Sequence, residues 1–441
     1  MPTRRFHLGF GDRAASDVET NIRIGRGFDF DISGIQQTMR RHGLLPSEIG
    51  LDLLSIGIAV YFADVSANRA ELGDDGWTRH LDLVVEVSQP ELWEALTERI
   101  VRALNFVSSD RWRLRFNQRL DDIETAGFVE SRNGLFQTAR ISLLSGGLDS
   151  ATAAIDMLCD GEPLMGASIS SSDTRTVGGP QNAIRTVLSE EFQNAFAGAK
   201  LTVQVPSSIR GANPESSQRA RSFLFLTFSS FLASCYPHRI TLVVPENGLI
   251  ALNVPLDVTR MGSNSTKTAH PFFLYHFQLL LDGLGLNARL DDPYRFVTKG
   301  EMLHNCTDKD LLARILPLSV SCAKPPNREG TADNHCGCCP ACIIRRAAIL
   351  AGFPEPDPTS YHTVPDLGER TLNARTKEGK DIRAFKIAAQ RLADHPEYAE
   401  VDVYRAGPLV QVVPSVADYV EVYRRGMMEV HALLADVRTE G

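Results

Sequence analysis

Six consecutive residues, Ser145-Gly146-Gly147-Leu148-Asp149-Ser150, place two hydroxyls, two glycines and a carboxylate between an alternating apolar run and an alanine-rich helical pattern. A turn that leaves a strand and enters a helix presents unpaired amides at the positive end of the helix dipole, a setting that suits an anion. Gly146 and Gly147 let the backbone close on that anion without a Cβ in the way, and they permit positive φ. Ser145 and Ser150 add hydroxyl donors. Asp149 would repel phosphate unless it holds a metal or a cationic or hydrogen-bond-donating group, so the segment reads as a cradle for a polyphosphate plus Mg²⁺. The lysine of a Walker A loop is missing, and γ-phosphate transfer is not the expected chemistry.

Cysteine usage supplies the second constellation. None of the eight cysteines precedes Cys159, and five fall between Cys322 and Cys342. Cys336, Cys339 and Cys342 form C-x2-C-x2-C, with Cys322 fourteen residues upstream of the first as the natural fourth thiolate. In a large chain such a cluster reads as a metal site rather than a disulfide framework. Four sulfurs around a tetrahedral Zn²⁺ make a closed, structural site, and an iron–sulfur cluster is the rival occupant. Cys338 is left over.

The glycine segment resembles the PP-loop of the N-type ATP pyrophosphatases, which cleave ATP between the α and β phosphates and adenylate a substrate oxygen. Paired with the downstream cysteines, it resembles the 7-cyano-7-deazaguanine synthase (QueC) family over roughly residues 137 to 350. Gln181 in "GGPQ", Arg219 and Arg221 in "QRARSFLFL", Lys299 and Glu301 in "TKGEML", "SVSC" at Cys322, and Arg345 support the match. The resemblance implies a Rossmann-like PP-loop domain of the adenine nucleotide α-hydrolase kind, with ATP, Mg²⁺ and Zn²⁺ as cofactors. It assigns ATP binding to Ser145–Ser150 and Gln181, catalysis to Asp149, Lys299 and Arg221, and the metal to Cys322, Cys336, Cys339 and Cys342. The family's substrate-reading S-G-Y-P-D-C segment is absent. In its place, residues 245–271 offer Asn247, Gly248, Asn253, Arg260, Ser263, Thr266, Thr268 and His270, which join Arg219 and Arg221 as candidate substrate contacts. His270 taken alone reads more readily as a packed histidine than as a catalyst.

Those side chains need a scaffold. From residue 136 the pattern alternates strand and helix, with strands expected at Arg140–Leu144, Leu164–Ser168, Leu201–Val205 and Arg239–Val244. Helices are expected around Thr152–Cys159, Asn182–Ala197 and Arg221–Cys235, an order that predicts an α/β fold with a parallel sheet covered on both faces. Residues 1–130 read as a self-contained α+β extension. Strands are expected at Ile22–Ile24, Phe28–Ile32 and Leu81–Val87, and a helix at Leu51–Arg69. Ser88-Gln89-Pro90-Glu91 reads as a capping box. Trp112, Leu114 and Phe116 alternate with three arginines, the wet side of an amphipathic strand. Residues 121–133 read as a linker, 136–355 as the PP-loop domain with its zinc site, and 356–441 as a helical region with helices at Asp381–Ala393 and Ser415–Leu434.

The net charge of −8 argues against a broad nucleic-acid footprint and hence against a tRNA-modifying relative. No membrane span is expected, because Asp52 and Asp64 interrupt the best apolar run, and the start lacks a signal core, so the reading is cytoplasmic. The expected reaction is adenylation of a carboxylate, by resemblance 7-carboxy-7-deazaguanine or a relative, followed by amide or nitrile formation with release of AMP and pyrophosphate. The extensions match the QatC-like kind found in bacterial antiphage operons. Partners implied are therefore a deazapurine acid, an operon-encoded protein whose amine takes the acyl group, and a second copy in a homodimer. A non-catalytic nucleotide-binding subunit of a defence complex is the non-enzyme alternative.

Overall fold

Parallel strands need long crossover connections, and the helices expected between the apolar runs supply them. The computed structural model describes every residue except 1–2, 13–14, 16–17, 123, 125, 172–174, 257–266, 324–334, 370 and 441. Among the described residues it contains two large parallel sheets with helices, an α/β architecture, and a two-stranded parallel pair, Leu372–Asn373 with Thr439–Glu440. The first sheet holds β1 (Thr3–Phe10), β2 (Thr20–Ile24), β3 (His80–Val87) and β4 (Arg111–Gln118) in the order β2-β1-β3-β4, every pair parallel. The α+β reading of this region is thereby corrected. The helices Glu48–Ser66 and Pro90–Ser108 lie on the crossovers that return the chain to the same end of the sheet.

The region is not self-contained either. Phe6, Leu83 and Phe116 belong to one continuous apolar core with Phe223, Phe228 and Leu242 of the following region. The helix Glu48–Ser66 sits between the two. Its Gly57 marks a close approach, because a Cβ there would lie 2.0 Å from Thr227 Oγ1 on the helix Arg221–Ala233. By length and composition it could cross a bilayer, yet 94% of its apolar window is buried inside the protein. Its two aspartates explain how. Asp52 accepts hydrogen bonds from Ser88 N, Ser88 Oγ and Trp93 Nε1 at 2.8, 2.6 and 3.0 Å, and Asp64 pairs with Arg79. Ser88 is thus taken by Asp52, and the expected capping box does not form: Gln89 is the N-cap, without a side-chain cap bond.

The second sheet holds β5 (Arg140–Leu143), β6 (Leu164–Ser171), β7 (Phe196–Val203), β8 (Ile240–Val243) and β9 (Ala288–Asp291). The order is β7-β6-β5-β8-β9, again all parallel. β7 starts five residues before the expected strand: Phe196 and Ala197 read as the end of a helix, but pairing with β6 draws them into the sheet. Phe28–Ile32 forms no strand, only a bridge from Phe30 to Ile24. Downstream, the helices Lys377–Asp394, Tyr398–Ala406 and Ala417–Leu434 pack a second core around Pro340–Gly352 and the cysteines.

Candidate functional site

Strand order locates the site before any side chain does. The chain runs β5, β6, β7 to one side and then returns to place β8 on the other side of β5. Ligands of open α/β sheets bind at such a switch point, outside the carboxyl ends of the strands. The glycine segment follows β5, and Glu246-Asn247-Gly248 follows β8, so both flank that crevice.

The loop has the form its residues imply. Gly147 is the N-cap of the helix Leu148–Cys159, whose first-turn amides are those a helix leaves without an internal acceptor. Gly146 has φ +86°, where an L side chain is strained, and a Cβ there would lie 3.0 Å from Gln181 Cγ. Ser150 Oγ donates to Gly147 O at 3.0 Å and lies 3.3 Å from Ser145 Oγ. Leu148 turns into the core beneath. Gln181 Nε2 donates to Ser145 O and to Ile169 O, both at 3.0 Å. Arg221 donates to the same Ile169 carbonyl at 3.2 Å, which brings Gln181 and Arg221 to the loop together.

Asp149 is the hub. Lys299 Nζ lies 3.0 Å from its Oδ1, and Asn247 Nδ2 donates to its Oδ2 at 2.8 Å; all three side chains are buried. Lys299 is placed by a capping box on its own helix, Lys299–Asn305, in which Thr298 and Glu301 satisfy each other's backbone amides. Glu429 reinforces that turn by accepting from Thr298 Oγ1 and Gly300 N.

Two carboxyls of the crevice escape sequence reasoning. Glu246 follows β8, and burial, then the Asp149 charge, pushes its carboxyl up to about 8 against the pull of Lys299. Asp292, just past β9, is held well above the usual carboxylate range by burial and by Glu246. Asp149 and Glu246 therefore share the attraction of one lysine beside the glycine turn. A lone acid one to three residues past a strand end carries no sequence signature, though the "PEN" before Gly248 lies inside the stretch already singled out for its polar density.

The remaining candidates scatter. Arg219 stacks on Trp77 with its guanidinium 4.3 Å from the ring centroid and donates to Ser108 O, against the first sheet's layer. His270 is packed, as its bland reading had it: Nδ1 caps the helix Pro271–Gly283 by accepting from Phe272 N, its ring meets Phe106 at 4.8 Å, and burial pushes it down to about 3. Thr268 lies in the turn before it. Gly248 is a packing residue, since a Cβ would lie 2.3 Å from Arg295 O, and Asn253 ends the helix Gly248–Leu252 at φ +46°. Arg260, Ser263 and Thr266 lie outside the described residues.

The cysteines converge. The sulfurs of Cys322, Cys336, Cys339 and Cys342 all lie within 4.8 Å of one another, with Cys322–Cys339 and Cys336–Cys342 at 3.9 Å. Zn–S bonds of about 2.3 Å in a tetrahedron put sulfurs about 3.8 Å apart, so the set fits a metal such as zinc. Cys338 stands aside, 3.7 Å from Cys336. The cluster also touches the glycine loop. Val320 N, two residues before Cys322, donates to Gly146 O at 2.9 Å. Buried Arg345, three residues after Cys342, holds the same segment by donating to Ser319 Oγ at 2.9 Å and to Leu316 O at 2.8 Å.

No protein-family model matches the chain.

Proposed function

We propose that the protein is an ATP-dependent C–N ligase that adenylates the carboxylate of a deazapurine acid, 7-carboxy-7-deazaguanine or a relative, and passes the acyl group to nitrogen. The observation that carries this reading is the union at one switch point of an amide-lined turn with a buried Asp149–Lys299–Asn247 set. The turn's amides and hydroxyls take the diphosphate, and Asp149 would hold Mg²⁺, which would neutralise phosphate charge. The substrate carboxylate attacks the α-phosphorus, the bond to the bridging oxygen breaks, and pyrophosphate leaves. Lys299 and Arg221 steady the negative charge that grows in that step. An amine, from ammonia or from a partner protein, then attacks the acyl carbon and expels AMP, and Glu246 accepts the proton the nitrogen sheds.

Release of pyrophosphate by purified protein with ATP and 7-carboxy-7-deazaguanine tests the first step, and ATP binding without turnover would leave only a nucleotide-binding subunit. Mass spectrometry of a co-expressed operon partner tests the second: a mass increase on the partner identifies a protein acceptor, and accumulation of free amide or nitrile identifies ammonia.

Three expected outcomes belong to this site. With Glu246 raised to about 8, the amide-forming rate climbs with pH to a plateau above that value, and Glu246→Gln removes the climb. Stability runs the other way. A carboxyl whose folded value exceeds its unfolded one stabilises the fold at low pH and loses that contribution as pH rises toward 8, so urea titrations of the ligand-free protein should show Glu246→Gln gaining on wild type between about pH 4.5 and 8. Gly146→Ala combines a left-handed φ with a close contact to Gln181. A strain of about 1–2 kcal/mol should weaken ATP binding about tenfold by calorimetry.

A further inference from the structure

Parallel sheets are normally covered on both faces, and the first sheet departs from that at its edge strand β4. Its apolar face is in the core, while residues 5, 82 and 113, which pair across β1, β3 and β4, point the other way. The outward Asp82, Val84 and Glu86 of β3 are buried, and Ala15 exchanges two hydrogen bonds with the Asn21 side chain of β2. Along β4 the outward row of Arg111, Arg113 and Arg115 stays exposed. Arg113 reaches a carboxylate only loosely, Asp82 at 3.7 Å, and among the described residues Arg111 and Arg115 have no ion-pair partner. Arg111 and Arg113 also line a cavity of about 330 Å³ at the amino-terminal ends of these strands.

We infer that this half-face docks an extended acidic segment of a partner protein. Alternate residues of a strand lie about 6.6 Å apart, so three arginines at that period match a peptide carrying a carboxylate at every second residue. The partner lies across the face and does not add to the edge of the sheet: Trp112 N already donates to Asn105 Oδ1 and Phe116 N to Glu94 Oε1, which blunts β4 as an edge. Nucleic acid is disfavoured by the same surface. The outward residues of β3 and β4 include no Phe, Tyr or Trp on which bases could stack, Asp82 and Glu86 share the face, and the whole chain carries −8.

The inference stands apart from the nucleotide chemistry, and binding rather than turnover tests it. Fluorescence anisotropy with a labelled peptide of four Glu-Thr repeats should show saturable binding that weakens with added salt, since exposed charges are screened. The triple variant Arg111→Ser/Arg113→Ser/Arg115→Ser should lose at least about tenfold in affinity while keeping the wild-type circular dichroism spectrum and ATP affinity. Absence of binding, an unchanged affinity in the triple variant, or tighter binding of a labelled oligothymidylate than of the peptide would each overturn it.

Discussion

Asp149→Asn lowers pyrophosphate release from ATP by about 10²–10³-fold or more, the loss expected when one preorganised charge is removed from a phosphoryl site. The substitution keeps the shape and the acceptor oxygen but removes the charge that ties Lys299 at 3.0 Å. Removing one partner of a buried ion pair usually costs about 3–5 kcal/mol, because the other charge is left behind. Here Glu246 softens that cost: its carboxyl already feels Lys299, and without the Asp149 charge its own burden of repulsion falls. The variant is therefore expected to fold with a modest loss of stability, and the Glu246 carboxyl to titrate lower than in wild type. Release of pyrophosphate at the wild-type rate would remove Asp149 from the reaction and leave it a purely structural anchor for Lys299. Turnover and the NMR-detected titration of Glu246 separate the two roles, because a structural anchor moves the second and not the first.

How much of this was readable beforehand follows from the range of each interaction. The glycine loop and the metal-ligand set are local spacings: two glycines between a strand and a helix, and cysteines three apart, constrain geometry over a few residues. Asp149, Lys299 and Asn247 were each singled out, yet nothing in the sequence joins them; the switch in strand order does, and strand order is a property of the whole sheet. Glu246 and Asp292 were missed for the same reason, being ordinary acids until two strand ends bring them together. The first region was read as α+β because period-two patterns are alike in parallel and antiparallel strands. Ser88 was misread because a local capping pattern lost to a buried carboxylate thirty-six residues away. Arg219 and His270 show the limit of counting donors: both are polar, and the structure spends both on packing against the first sheet's layer.

Metal removal should have the largest effect on the fold. A structural Zn²⁺ site is worth about 10–16 kcal/mol in apparent binding free energy, comparable with the roughly 5–15 kcal/mol that holds a whole domain together. The four sulfurs belong to the core that packs the last three long helices, so loss of the metal removes the cross-link that would tie that core together. Chelation, or Cys342→Ser, should lower the melting temperature by more than ten degrees, about what a loss of several kcal/mol does to a chain this size. The effect should also reach the nucleotide. Cys322 is two residues from Val320, whose amide fixes the Gly146 carbonyl, and Arg345 on the Cys342 helix holds Ser319 in place. Stripped protein that remains folded at low temperature is thus expected to bind ATP more weakly, with affinity restored by added Zn²⁺. Elemental analysis of the purified protein should find one zinc per chain; a brown colour with iron in its place would identify the rival cluster. If the stripped chain keeps both its melting temperature and its ATP affinity, the Val320–Gly146 contact does not couple the two sites.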